Sequence, residues 1–336
     1  MSAMKESGRP RPPRKRLAAE LAVERIFCAC APGVEELLRA ELAELGLSAR
    51  AVPGGALAEG EEAAALACLC SRLAEAVHLR LWEGPAAELP KGKRSAARRA
   101  GGLPLLVRPR GEASTVSVDA AGGPLFRRGW RARVGAAPLR ETLAAALLRA
   151  GDFRGDRPFC DPMCGSGTLA IEAALSSARR APGLMRPLAL EALPGHDPAR
   201  LERLRNSLRE RERKVPVPVF ASDRNAGALR LARKNAEAAG VLDAIRFERS
   251  DAAEAPLPPG PGLCAVNPPY GLRLEEGAGE AWRSLGMLLG RLSGWRLVVL
   301  APEAAGKNAL ALSPVRSLKV ENGGVRCRIA IYEPRP

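Results

Sequence analysis

The sequence predicts an α/β protein in which a mostly parallel sheet follows a smaller α+β region. From residue 139 to the end, strand-like and helix-like segments alternate, which is typical of parallel sheets with helices on both faces. Nearer the N-terminus, shorter segments follow the order strand, helix, strand, helix, strand, which is typical of a small α+β domain. A basic stretch at 84–102 breaks this pattern and predicts a loop or linker.

Hydrophobic periodicity places the individual elements. In the helix predicted at 34–45, Val34, Leu38 and Leu42 fall on one face, and Gly46 ends the helix. The other elements predicted before the larger domain are strands at 25–30, 49–52, 76–82, 105–108 and 115–119 and a helix at 61–71. The larger domain is predicted to open with a helix at 139–150, which Gly151 ends.

Composition divides the chain into three parts. Residues 1–22 are rich in proline, lysine and arginine and are expected to form a disordered basic arm. The small α+β region is placed at 23–125 and the larger α/β domain at 126–336. The N-terminus lacks the apolar core of a signal peptide. The sequence has no apolar run of about 20 residues, so no membrane span is predicted.

The eight cysteines are scattered through apolar segments, which favours reduced thiols in a cytoplasmic protein over a disulfide framework. Two Cys-x-Cys pairs occur, Cys28 with Cys30 and Cys68 with Cys70. Neither has the usual Cys-x2-Cys spacing of a zinc site, so buried packing is the favoured interpretation and no metal is expected.

Charge points to a polyanionic partner. Lys and Arg number 52 and Asp and Glu 37, which gives a net charge of +15. So basic a surface favours nucleic acid, although an inert charged surface is the simpler alternative.

A glycine-rich turn at 161–168 is the first candidate site. It joins a strand predicted at 158–160 to an apolar helix at 168–178, so its backbone N–H groups can approach a ligand closely. It has a single Gly-x-Gly, at Gly165 and Gly167, and no following lysine, which excludes a Walker A loop. Asp161 ends the strand, where its carboxylate can face the positive end of a cofactor such as a sulfonium-bearing amino acid.

Two further strands end in an acidic residue. Asp223 follows 219–222 and could accept the hydroxyls of a ribose, while Asp251 follows 245–250 and could accept an adenine amine. Carboxyl ends of parallel strands converge at one edge of a sheet, where ligands bind in such folds. Each Asp alone could equally be a helix N-cap or a turn residue.

The sequence Asn267-Pro268-Pro269-Tyr270 is the most specific motif in the chain. Two prolines hold the backbone rigid after a buried strand at 264–266. The Asn267 side-chain carbonyl and the Pro268 backbone carbonyl can both accept hydrogen bonds from one NH2 group and so orient its lone pair. Tyr270 can stack on the base that carries the amine. The motif therefore predicts transfer of a group to the exocyclic amine of a base.

These motifs together resemble the class I S-adenosylmethionine (SAM)-dependent RNA methyltransferases with an N-terminal THUMP domain. Within that family, the resemblance is to the bacterial 23S rRNA guanine-N2 methyltransferase group, with tRNA guanine-N2 relatives nearly as close. The segments that carry it are LFRRGWR at 125–131, APLRETLA at 137–144, DPMCGSGT at 161–168, NPPYG at 267–271 and NGGVRC at 322–327. Residues 27–82 resemble the ferredoxin-like opening of the family, whereas the THUMP portion looks shortened to a basic segment at 84–118.

The resemblance implies a Rossmann-like domain with a seven-stranded sheet, SAM as cofactor and RNA as partner. Asn267, Pro268 and Tyr270 would present the target guanine. The residues expected to hold SAM are Asp161, Met163, Cys164, Gly165, Gly167, Thr168, Asp223, Arg224, Asp251, Ala252 and Asn267. The residues expected near RNA are Arg127, Arg128, Trp130, Arg131, Lys91, Lys93 and Arg94.

Other functions stay open. A guanine in tRNA is the first alternative. Adenine-N6 in DNA is a second, because an Asn-Pro-Pro-Tyr loop also serves that reaction, although the segments between Arg127 and Thr142 argue against it. A non-catalytic RNA-binding or assembly factor is the third, and the presence of every site residue argues against it.

Overall fold

The computed structural model of the chain describes residues 23–85, 101–131, 139–269, 275–305, 310 and 312–333. These residues form one sheet of six strands and one of seven. The arm predicted at 1–22, the basic residues Lys91, Lys93 and Arg94, and Tyr270 lie outside the described residues.

The N-terminal sheet has the order β2-β3-β1-β4-β6-β5, with every neighbouring pair antiparallel. Its elements are β1 (Glu24–Ala29), α1 (Glu35–Glu44), β2 (Ser48–Val52), β3 (Gly55–Gly60), α2 (Ala63–Cys70), β4 (Ala76–Pro85), β5 (Leu105–Arg110) and β6 (Ala113–Asp119). Every element predicted in this region is present. The sequence analysis missed β3, since its segment, GALAEG, lacks the β-branched and aromatic residues that mark strands.

The second sheet confirms the predicted fold class. Its order is β12-β13-β11-β10-β7-β8-β9; β13 pairs antiparallel with both β11 and β12, and the other neighbouring pairs are parallel. The strands are β7 (Phe159–Asp161), β8 (Val219–Asp223), β9 (Ile245–Arg249), β10 (Leu263–Val266), β11 (Arg296–Pro302), β12 (Arg316–Asn322) and β13 (Val325–Tyr332). The helices are α3 (Glu141–Ala150), α4 (Thr168–Ser177), α5 (Pro198–Glu210), α6 (Ala226–Ala238) and α7 (Glu275–Leu289).

The strand order creates a crevice at the carboxyl edge of this sheet. From the central strand β7 the chain runs outward to β8 and β9, then returns to the other side of β7 with β10 and β11. Open α/β sheets bind ligands at the point where the strand order reverses. Here that point lies between the ends of β7 and β10, whose residues Cys160 and Cys264 pair in parallel register.

The segment that connects the two sheets is held firmly in place. Arg186 donates hydrogen bonds to the backbone oxygens of Pro124, Ala121 and Gly123, at 2.8, 3.1 and 3.3 Å. Because one guanidinium group fixes three carbonyls, this segment is anchored to the larger domain. The domain boundary predicted at 125/126 falls in this segment and stays a prediction.

A buried ion cluster joins the N-terminal region to α4. Glu172 on α4 accepts hydrogen bonds from Arg72 Nη1 at 3.1 Å and from Arg128 Nε at 3.4 Å. Arg128 also donates to the backbone oxygens of Leu125 and Arg72. Arg72 lies between α2 and β4, so the cluster links the first sheet to the helix that begins at the glycine-rich turn.

All eight cysteines are free, and seven are buried. Burial raises the pKa of Cys30 to about 12 and that of Cys70 to about 11, so these thiols stay protonated at neutral pH. The described residues include no cluster of three or more metal-ligating side chains. None of the helices in the described ranges has both the length and the apolar character that a membrane span needs.

Candidate functional site

The glycine-rich turn leaves β7 with two left-handed glycines, Gly165 (φ +51°) and Gly167 (φ +83°). A Cβ on Gly167 would lie 3.0 Å from the Cβ of Ala232, so α6 packs directly against this position. A Cβ on Gly165 would meet nothing within 4 Å. The turn is therefore close-packed on the α6 side and open at Gly165, where a ligand can approach the backbone.

Backbone hydrogen bonds fix the shape of the turn. The N–H of Cys164 donates to Ser222 O at 2.9 Å, and that of Gly167 donates to Cys164 O at 2.7 Å. Cys164 is also buried, and its backbone N–H and carbonyl groups fix the turn. Met163 lies at the surface of the core in a half-buried position.

The three strand-end acids share one local arrangement. In each, an Oδ1 atom accepts the backbone N–H two residues ahead, with distances of 3.2 Å for Asp161, 2.8 Å for Asp223 and 3.0 Å for Asp251. The turn interpretation of these residues is therefore correct for one oxygen of each. The residues differ in the hydrogen-bond partners of the second carboxylate oxygen.

The second oxygen of Asp161 is the unusual one. Asp161 is 1% exposed, and its Oδ2 atom has no hydrogen-bond partner among the described residues. By contrast, Oδ2 of Asp223 accepts the N–H of Gly165 at 2.9 Å and so ties the turn to the end of β8. Burial raises the pKa of Asp161 well above its ordinary range, the nearby Asp223 raises it further, and the Met163 N–H bond lowers it.

Asn267 presents a second unpartnered acceptor at the end of β10. Its Oδ1 atom is buried and, within the part of the chain that the structure describes, makes no hydrogen bond. The next residue, Pro268, is buried. Because β10 and β7 are parallel neighbours, Asn267 and Asp161 lie at the same edge of the sheet, on the two sides of the crevice.

The other residues expected to hold SAM surround this edge. Thr168 is the first residue of α4 and is buried, whereas Arg224 is exposed and pairs with Glu280 of α7 at 2.7 Å. Ala252 is buried in a single helical turn that Asp251 caps. Their roles toward SAM stay predictions.

The residues expected near RNA separate into two groups. Arg127 is exposed, as an RNA contact requires. Arg128 and Trp130 are 3% and 2% exposed, and the guanidinium group of Arg128 is committed to Glu172 and two carbonyls. The prediction that Arg128 and Trp130 contact RNA is therefore wrong. The carboxylate that binds Arg128 lies far away in the sequence, and a basic segment with a tryptophan resembles an RNA contact until that partner is known.

Arg131 also points inward. Its side chain is 12% exposed and donates to Glu141 at 2.8 Å, to Leu139 O at 2.9 Å and to Thr168 Oγ1 at 3.0 Å. The expected RNA contact is replaced here by contacts within the protein. The sequence analysis missed Glu141 and Glu172, although a single acidic residue in an apolar helix is a signal that a buried partner exists.

Comparison with known proteins assigns the larger domain. Residues 128–331, more than half of the chain, match the family model of the RMKL-like methyltransferase domain. The chain belongs to this family. Residues 25–78 match the RlmL ferredoxin-like domain. The chain is therefore a SAM-dependent methyltransferase, as its sequence predicted.

Solved structures share the whole architecture. SMU.472, a methyltransferase crystallised with SAH, has a TM-score of 0.81 and 22% identity over 94% of this chain and 99% of its own. An N6-adenine-specific DNA methylase predicted in Listeria monocytogenes has a TM-score of 0.79 and 24% identity over 94% and 97%. TrmN from Thermus thermophilus has a TM-score of 0.64 and 25% identity over 93% and 99%.

The site fits a cationic cofactor. A buried acceptor without a hydrogen bond costs about 1–3 kcal/mol, and the crevice has two of them, Asp161 Oδ2 and Asn267 Oδ1. Asp161 would face the positively charged end of SAM, while the open backbone at Gly165 leaves room for the ligand. When bound, SAM supplies an electrophilic methyl group.

The raised pKa of Asp161 predicts a pH-dependent affinity for SAM. In the free protein the carboxyl holds its proton to an unusually high pH, whereas a bound cation favours the carboxylate. Between the lower pKa of the complex and the raised pKa of the free protein, binding releases a proton, so affinity falls as the pH falls, by up to about tenfold per pH unit. Isothermal titration calorimetry in buffers of different ionisation enthalpy measures this proton release.

Two variants check that assignment. Asp161→Asn should bind SAM more weakly and lose the pH dependence. Asp197→Asn, at an exposed helix cap on α5, should keep it. An unchanged pH profile in Asp161→Asn would assign the proton to another group.

Proposed function

We propose that the protein transfers the methyl group of SAM to the exocyclic N2 of a guanine in RNA, with 23S rRNA as the first candidate and tRNA as the alternative. The observation that carries this proposal is the unpartnered, buried Oδ1 of Asn267, which lies at the same edge of the sheet as Asp161. A carbonyl oxygen in that position is an acceptor for an amine that must be held against the methyl group.

The chain's own residues do three things in this reaction. Asn267 and the Pro268 carbonyl accept the two hydrogens of the NH2 group, so that its lone pair leaves conjugation with the ring. Tyr270, by the sequence motif, stacks on the base. Because Asn267 is neutral, it holds the amine without taking its proton, which would pass to water after methyl transfer. Positioning is thus the main contribution, and effective concentrations reach about 10⁵ M or more in well-oriented systems.

An RNA partner agrees with the charge of the protein. The chain carries a net charge of +15. Arg127 is exposed at the junction between the sheets, and we propose it as a phosphate contact together with Lys91, Lys93 and Arg94. Adenine-N6 in DNA stays the competing activity, since the Listeria monocytogenes protein of the same fold is predicted to be a methylase of that kind.

Mass spectrometry of nucleosides tests the proposal. Ribosomal and transfer RNA are separated from a strain that lacks the gene and from the same strain complemented with it. We expect N2-methylguanosine to disappear from 23S rRNA and to return on complementation. Loss from tRNA instead would select the alternative substrate. Loss of N6-methyladenine from DNA, with N2-methylguanosine unchanged in both RNA fractions, would overturn the proposal.

A further inference from the structure

Arg131 lies where the connecting segment meets the glycine-rich turn. Its Nη2 atom donates both to Leu139 O and to the hydroxyl of Thr168, the first residue of α4. Its Nε atom donates to Glu141 in the first turn of α3. One guanidinium group therefore bridges the starts of two helices, and its carbon lies 5.5 Å from the ring centre of Trp130.

The turn needs such support because its own backbone is permissive. Gly165 and Gly167 both adopt left-handed conformations, which glycine leaves as easily as it enters. On one side, Asn235 of α6 donates to Ser166 O at 3.0 Å. On the other side, the Thr168 hydroxyl, which Arg131 holds, lies 3.4 Å from that of Ser166. The turn is thus held between α6 and Arg131.

We propose that Arg131 is a positioning residue for the SAM site: it fixes the start of α4, and through it the glycine-rich turn, against α3 and the connecting segment. It does not touch RNA. The inference rests on the use of SAM and is independent of which base is methylated, so a different substrate would leave it intact.

The connecting segment also contacts α4 at a second point. Arg128, three residues earlier, binds Glu172 on α4, the helix that Arg131 holds at Thr168. Thr168 and Glu172 are four residues apart and so lie on one face of the helix. The segment therefore holds one face of α4 at two points, and a displacement of the N-terminal region would reach the SAM site through this face.

Calorimetric titration of SAM into Arg131→Gln tests the role directly. We expect SAM affinity to fall about tenfold or more, because charge-assisted hydrogen bonds to the turn are lost. In steady-state kinetics, the KM for SAM should rise more than kcat falls. RNA affinity, measured by filter binding, should stay within about twofold. Arg246→Gln removes an equal charge at an exposed ion pair with Glu248 and should leave SAM affinity unchanged.

A double-mutant cycle with Thr168→Val guards against a general loss of folding. If Arg131 acts through the Thr168 hydroxyl, Thr168→Val should weaken SAM binding in the wild-type protein and much less in Arg131→Gln. Arg131→Lys, which keeps the charge but cannot bridge both helices, should restore less than half of the lost affinity on a logarithmic scale. Additive effects in the cycle would overturn the proposal. So would weakened RNA binding with unchanged SAM affinity, which would restore Arg131 as an RNA contact.

Discussion

Asn267→Ala is expected to lower turnover at least about 100-fold while SAM binds with nearly unchanged affinity. The side-chain oxygen of Asn267 is buried and lacks a partner among the described residues, and the proposed function assigns the amine of the substrate to it. A contact that strengthens as the amine is oriented contributes to kcat more than to ground-state binding. Single-turnover methylation of RNA with labelled SAM, together with calorimetric titration of SAM, measures the two quantities separately.

Two companion variants sharpen this result. Asn206→Ala, at an exposed position on α5, should have full activity. Asn267→Asp keeps the shape and one acceptor oxygen, so it should retain more activity than alanine. Turnover of Asn267→Ala within a few-fold of wild type would mean that the loop does not hold the amine. A large loss of SAM affinity would instead place Asn267 in the SAM site alone.

The parts of the site that were predictable are those fixed by local sequence. Asp161 and Asp223 are the last residues of β7 and β8, Asp251 comes two residues after β9, and parallel strands bring their carboxyl ends to one edge. That reasoning needs no knowledge of tertiary contacts, and the sheet confirms it. The sequence could not show whether each Asp is a turn residue or a ligand residue. One carboxylate oxygen of each Asp accepts a local backbone N–H, and the contacts of the other oxygen depend on tertiary packing.

What could not be predicted depends on contacts between distant segments. Arg128 looked available to RNA, but its acidic partner Glu172 lies 44 residues away on a buried helix. The strand β3 was missed because its residues are small, and their size also reflects a tertiary contact. Gly55 packs closely against the backbone oxygen of Cys28 on the neighbouring strand β1. Neither fact has a signature in local periodicity.

Glu172→Gln should lower the free energy of unfolding by about 3–5 kcal/mol. The Glu172 side chain is fully buried, and Arg128 and Arg72 are 3% and 16% exposed, so the substitution leaves two guanidinium groups without their anion. Burial lowers the pKa of Arg72, and Glu172 opposes this effect by raising it. Urea unfolding followed by circular dichroism measures the loss. Glu202→Gln removes an exposed carboxylate that pairs with Arg205 and Arg209 on α5 and should cost less than about 1 kcal/mol.

The shape of the unfolding curve tests whether the ion cluster couples the two sheets. Arg72 belongs to the N-terminal region and also donates to the carbonyls of Leu175 and Arg180, near the negative end of the α4 dipole. These bonds remain in Glu172→Gln, but the variant lacks the carboxylate that balances the positive charges of Arg72 and Arg128. If the cluster couples the two sheets, the variant should unfold in two steps or with a lower m-value than the wild type. A single transition with unchanged m-value and a loss below about 1 kcal/mol would show that the remaining contacts between the sheets suffice without Glu172.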